Sequence, residues 1–202
     1  MAARIAPLAA TELPAFAAVI EAIEADHGYV PNSFLTLGRH PGMLQAMGLL
    51  ADALWYDDRL PQPLRRLAGF AFSWFSGVMY SAAHLACGAE DVGLPLAKLL
   101  AVDSWETAAI YTPSERAVLR LCRNAARMPH EMADADMAAL RAEIGEEQAL
   151  LIVGLVCWHA FLNRWNMMAA TQLEESPLIY ARTHLAVMGW HPGPHALHGE
   201  PA

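Results

Sequence analysis

Between Leu67 and Ala89 the chain carries no charged residue, and glycines at 69, 77 and 88 interrupt the run. So long an apolar segment has to leave water, either in a bilayer or in the middle of a folded core. Ser73, Ser76, Ser81 and His84 dilute it, and it lacks a Leu/Ile/Val-rich centre. A second apolar run, residues 149–162, is shorter than the roughly 20 residues needed to span a bilayer. Both runs are therefore read as core helices rather than membrane spans.

The rest of the sequence is helical in pattern. "ATELPAFAAVIEAIEAD" repeats apolar residues at helical spacing, with Thr11 as N-cap, and "HGYVPNSF" breaks it through Gly28 and Pro31. Pro41 and Pro63 stand where helices start. In "TPSERAVLRLCRNAARMP" Thr112 and Glu115 have capping-box spacing, which predicts a helix beginning at Pro113. "DADMAALRAEIG" reads as a shorter helix stopped by Gly145. "EEQALLIVGLVCWHAFLNRWNMMAATQLE" reads as the longest and most apolar helix, and "SPLIYARTHLAVMGW" as the last. No strand alternation competes, so the fold class is all-α. One helical domain over residues 1–190 is expected, followed by a Pro/Gly/His-rich tail over 191–202.

Hydrophobic residues make up 55% and charged residues 17% of the 202. A small monomer hides that much apolar surface poorly, which predicts a homo-oligomer, from dimer to hexamer. A net charge of −8 without a Lys/Arg stripe argues against a nucleic-acid partner. The N-terminus has no sustained apolar core of a signal peptide, so a cytoplasmic location is expected. Cys87, Cys122 and Cys157 are scattered and form no Cys-x-x-Cys pair, so neither a disulfide framework nor a zinc knuckle is suggested. His191, His195 and His198 lie in the tail, where Gly and Pro give them no fixed metal geometry.

Two polar stripes stand out in the apolar helices. Tyr80, His84 and Cys87 are spaced i, i+4 and i+7, with Ser81 beside them. Such a histidine is either a core residue bonded to backbone or a general acid–base near neutral pH. His159, Asn163 and Asn166 repeat the same spacing on the longest helix, with Arg164 about 100° around the axis. Those side chains either satisfy one another across a helix interface or line a pocket opposite His84.

"GYVPNSFLTLGRHPGML", "LPQPLRRLAGFAFSWFSGVMYSAAH", "ERAVLRLCRNAARMP", "FLNRWNMMAATQLE" and "GWHPGPH" together make the chain resemble the carboxymuconolactone decarboxylase family, which includes the alkylhydroperoxidase D-like proteins. The resemblance implies an all-helical, oligomeric protein. In peroxidatic members a Cys-x-x-Cys pair shuttles electrons and a histidine moves protons. Carried onto this chain, the cysteine positions are Val78 and Ser81, a glutamate of the proton relay is Arg66, and Tyr80 and His84 match. Thiol–disulfide chemistry needs two thiols, so the dithiol peroxidase mechanism is not expected. The family also contains decarboxylases that use no metal or organic cofactor. The expectation is accordingly a cofactor-independent acid–base enzyme of lyase or hydrolase type acting on a small carbonyl compound or lactone. His84, Tyr80 and Ser81 are its candidate catalytic residues. His159, Asn163, Arg164, Asn166 and Cys87 are its candidate substrate-binding residues. A non-catalytic homologue with its site plugged by Trp74 and Met79, and a residual one-cysteine peroxidase at Cys87, are the rival readings.

Overall fold

The computed structural model describes residues 2–196 as a bundle of helices joined by short turns, with no strand among them. The elements are α1 (Ala17–His27), α2 (Asn32–Leu37), α3 (Pro41–Leu54), α4 (Gln62–Phe75), α5 (Met79–Ala86), α6 (Leu96–Leu100), α7 (Pro113–Ala125), α8 (Asp134–Ala169) and α9 (Glu175–His184). The uncharged run is the centre of the bundle. It forms α4 and α5, two helices rather than one span, because Gly77 takes a φ of 70° that only glycine adopts cheaply. Helix α4 packs against α5, α7 and α8 and is buried continuously from Leu67 to Ser73. A helix apolar on all sides is stable only in such a place.

Helix α7 starts as its sequence predicts. Thr112 Oγ1 accepts from the Glu115 backbone N–H at 3.2 Å, and Glu115 Oε2 accepts from the Thr112 N–H at 2.9 Å. At the N-terminus the reading is corrected. Thr11 caps no α-helix; Pro14, which has no N–H, splits the segment into two 3₁₀ turns ahead of Ala17. Gly145 does interrupt the third quarter of the chain, as a residue at φ 79° and ψ 167° inside α8.

The end of α8 differs from expectation in a way that matters for function. The helix does not run on through Glu174. It stops at Ala169, Ala170 turns left-handed at φ 48°, and residues 171–174 are drawn out against neighbours. Asn32 Nδ2 donates to the Gln172 carbonyl at 3.0 Å, and the Leu173 N–H donates to the His195 carbonyl at 2.9 Å. Glu174 is thereby placed as the N-cap residue of α9, beside α5.

Residues 191–196, read as the start of a tail, pack onto the domain. His195 is buried, with Nδ1 2.7 Å from the Thr171 carbonyl and Nε2 3.3 Å from the Met167 sulfur. His198 lies outside the described residues. A smaller cluster of Leu13, Ile20, Leu37 and Leu44 ties α1–α3 to Leu162 and Trp165 of α8. Among the described helices, α8 alone is long and apolar enough to cross a bilayer. Leu150, Cys157, Phe161 and Met168 leave an exposed, largely apolar row along it.

Candidate functional site

A cavity of about 620 Å³ lies where α1–α3 meet α4, α5 and α8. Tyr29, Arg66, Tyr80, Ser81, His84, Cys87, His159 and Asn166 all line it. Two predicted stripes therefore do face one space. Two predicted members are absent from it. Asn163 is buried and exchanges hydrogen bonds with the Ser73 hydroxyl at 3.3 Å, a helix–helix contact between α8 and α4. Arg164 is exposed and does not line the cavity. It sits one residue on from Asn163, and the turn of about 100° per residue carries it to the outside. The proposed plug is absent too: Trp74 donates to Asp103 Oδ1 at 2.8 Å, Met79 packs on the core, and neither lines the cavity.

His84 stands in the last turn of α5, with a polar neighbour close to each ring nitrogen. Nε2 lies 2.7 Å from Glu174 Oε2 and Nδ1 lies 3.1 Å from the Tyr29 hydroxyl. Tyr80 and Ser81, the other candidate catalytic residues, do not bond the imidazole. Tyr80 instead sets its ring 4.4 Å from the imidazole, tilted 40° to it, and donates its hydroxyl to Glu174 Oε1 at 3.2 Å, while accepting from the Ser33 N–H at 3.2 Å. Ser81 is buried at the cavity wall with no bond to His84. Tyr29 and Glu174 were missed for one reason each. Tyr29 sits in the segment read only as a helix break, and Glu174 at the end of a helix that stops earlier. The Val-Pro-Asn segment was the available signal for the first, because Asn32 also donates its backbone N–H to Glu174.

Electrostatics follow from burial and neighbours. Burial pushes the Glu174 carboxyl up, but the charge and hydrogen bond of His84 and the backbone N–H groups of Asn32 and Glu174 outweigh it, leaving a net lowering. The Tyr29 hydroxyl is raised, first by burial and then by the Glu174 charge, with Arg66 opposing. Tyr80 is raised for the same first two reasons. Both tyrosines are protonated at neutral pH, so Tyr29 has a proton to give. Arg66 brings a cation to the wall. Its guanidinium donates to the Cys87 carbonyl at 2.7 Å and lies 5.9 Å from the Trp55 ring centre.

At the other wall His159 is 5% exposed, and burial lowers it from 6.5 to about 4. A group lowered on folding binds its proton more weakly in the folded chain. The resulting stability is complete above the unfolded value and is lost as pH falls toward 4. The drop amounts to about 3 kcal/mol between those limits. Denaturant melts at pH 7 and pH 4 should show that drop, and His159→Gln should lose it. Equal pH dependence in the two proteins would refute the assignment.

The thiols do not compensate for the missing pair. Cys87 stands half-buried at the C-terminal end of α5, its sulfur 3.7 Å from the Ser176 hydroxyl and with no second thiol beside it among the described residues. Burial pushes the Cys122 thiol up to about 12, and exposed Cys157 does not line the cavity.

No protein-family model and no curated protein sequence matches the chain. Solved structures do. The debrominase Bmp8, crystallised as a cysteine-to-alanine variant with 2,3,4-tribromopyrrole, superposes with a TM-score of 0.82 at 26% identity, covering 91% of this chain and 98% of that one. Bmp8 without ligand gives 0.80 at 26% identity over 88% and 96%. An alkylhydroperoxidase D core, a peroxidase-related protein from Ralstonia eutropha JMP134, gives 0.76 at 24% over 87% and 94%, a likeness of fold.

Proposed function

From the premise that this chain is an alkylhydroperoxidase D-like protein without the cysteine pair, we propose that it is an acid–base enzyme acting on a small cyclic carbonyl compound or lactone. The observation that carries the reading is the line Glu174–His84–Tyr29, at 2.7 and 3.1 Å, ending on the cavity. The Glu174 carboxylate, 2.7 Å from Nε2, favours the proton on that nitrogen, which leaves Nδ1 to accept from the Tyr29 hydroxyl. When substrate loses a proton from the carbon beside its carbonyl, that proton goes to the Tyr29 oxygen as the phenolic proton passes to Nδ1. The reverse transfer returns a proton to the product carbon. The enolate formed in between is served by the Arg66 cation at the wall. No electron changes hands and no thiol is needed.

The test is hydrogen exchange in D₂O, followed by NMR on a series of cyclic ketones and lactones. Exchange beside the carbonyl should be catalysed by the wild type, persist in Cys87→Ser, and fall to background in Glu174→Gln. Turnover of hydroperoxide that disappears in Cys87→Ser, with no exchange, would replace this reading with one-cysteine redox chemistry. The ligand in the Bmp8 structure, a planar ring, adds support for a cyclic substrate.

A further inference from the structure

One end of the cavity is built of side chains that the proton relay does not use. Trp55 and Trp158 set their rings 6.0 Å apart, and His159 stands edge-on to Trp55 at 5.8 Å. Trp158 Nε1, His159 Nε2 and Asn166 Oδ1 are all buried, and none has a hydrogen-bond partner among the described residues. All three residues line the cavity. A buried polar atom left unpaired costs stability, so a cluster of them at a cavity wall marks groups awaiting a partner from outside the chain. Gly69 is part of the arrangement, because a Cβ there would come within 2.6 Å of His159 Nε2. Only glycine leaves the imidazole its place against α4.

We infer that this end is a recognition subsite for a neutral planar ring carrying a hydrogen-bond acceptor on one side and a donor on the other. The acceptor takes the Trp158 N–H and the donor serves Asn166 Oδ1. The two residues stand on one helix, eight apart, about 12 Å at 1.5 Å per residue, which suits a single substituted ring. His159, held neutral by its burial, adds polarity without a charge that would demand a charged ligand. The aromatic walls favour a flat ring over a saturated one. The subsite rests on the proposed acid–base reading only in sharing its cavity, and would fix which cyclic carbonyl compounds enter it.

The probe is 4-hydroxyacetophenone, which has a carbonyl acceptor and a phenol donor. 4-Ethylphenol lacks the acceptor and 4-methoxyacetophenone lacks the donor. Titrations followed at the indole N–H signals should show the complete probe binding about tenfold more tightly than either analogue. Trp158→Phe, which keeps a ring, should lower affinity for 4-hydroxyacetophenone about tenfold and leave 4-ethylphenol unchanged. Asn166→Leu should do the same with 4-methoxyacetophenone as the insensitive ligand. Equal affinities for the three compounds, no binding at millimolar concentration, or unchanged affinity in both variants would overturn the proposal and leave the three atoms to water. Binding in the wild type without any catalysed exchange would end the acid–base reading while the subsite stands. Exchange without this selectivity would do the opposite.

Discussion

Tyr29→Phe is expected to slow catalysed proton exchange by about 100- to 10,000-fold, the usual worth of a positioned acid–base group, with little change in thermal stability. The variant removes one oxygen and keeps the ring, whose centre lies 5.7 Å from His84 and 6.2 Å from His27. Its hydroxyl bonds His84 Nδ1, so the folded state loses one part-buried hydrogen bond, about 1 kcal/mol. The catalytic loss is large because the phenol is the member of the relay that meets substrate. Without it the Nδ1 atom has to reach across the space the oxygen filled. Exchange measured by NMR and a melting curve on the same preparation separate the two effects. A variant that exchanges within threefold of the wild-type rate would remove Tyr29 from the mechanism and return His84 to direct contact with substrate.

The helices were legible because their signals are local. A capping box at Thr112, prolines at first turns and glycines at breaks act within a few residues, and the all-α class follows from them. His84 and His159 were legible as well, since polar side chains in apolar helices must find partners. What they find was not legible. Asn163 and Asn166 have the same type and the same stripe, yet one is consumed by Ser73 of α4 and the other is left at the cavity. That division depends on which helix lies opposite each turn, and spacing along one helix carries no such information.

Tyr29 and Glu174 were hidden by connections. Their partners lie 55 and 90 residues away in sequence, and both sit where helices end. A helix of Leu, Ala and Met has every local reason to continue through residues 170–174. It unwinds because Asn32, His195 and the N-terminal segment take its backbone groups instead. Tertiary hydrogen bonds override propensity here, and the reward is a carboxylate beside an imidazole. The site is thus assembled from a bend after α1 and an extended piece before α9, while the helices supply His84, Tyr80 and the walls.

That carboxylate makes His84→Ala a stability variant as well as a catalytic one. Glu174 is almost wholly buried, and the His84 imidazole, 2.7 Å from its Oε2, leads the neighbours that keep its carboxyl low. Removing the imidazole should cost about 1–3 kcal/mol, the range for a buried polar group that loses its partner. Tyr80 and Asn32 still serve the other carboxylate oxygen, which places the expectation at the lower end. The sign of the pH dependence identifies the cause. In the wild type the lowered Glu174 contributes stability above the unfolded carboxyl value, and loses it as pH falls through the folded one. In the variant only the Asn32 and Glu174 backbone N–H groups still oppose burial, so the lowering shrinks and with it the stability held above the unfolded value. The gap between the proteins should therefore widen from pH 4 to pH 7. Glu174→Gln in the His84→Ala background should recover most of the loss, since a neutral amide has no charge to strand. Recovery of stability without recovery of exchange is the expected pattern. A gap independent of pH, or no rescue by the amide, would show that His84 is held by packing and that the Glu174–His84–Tyr29 line is not an electrostatic unit.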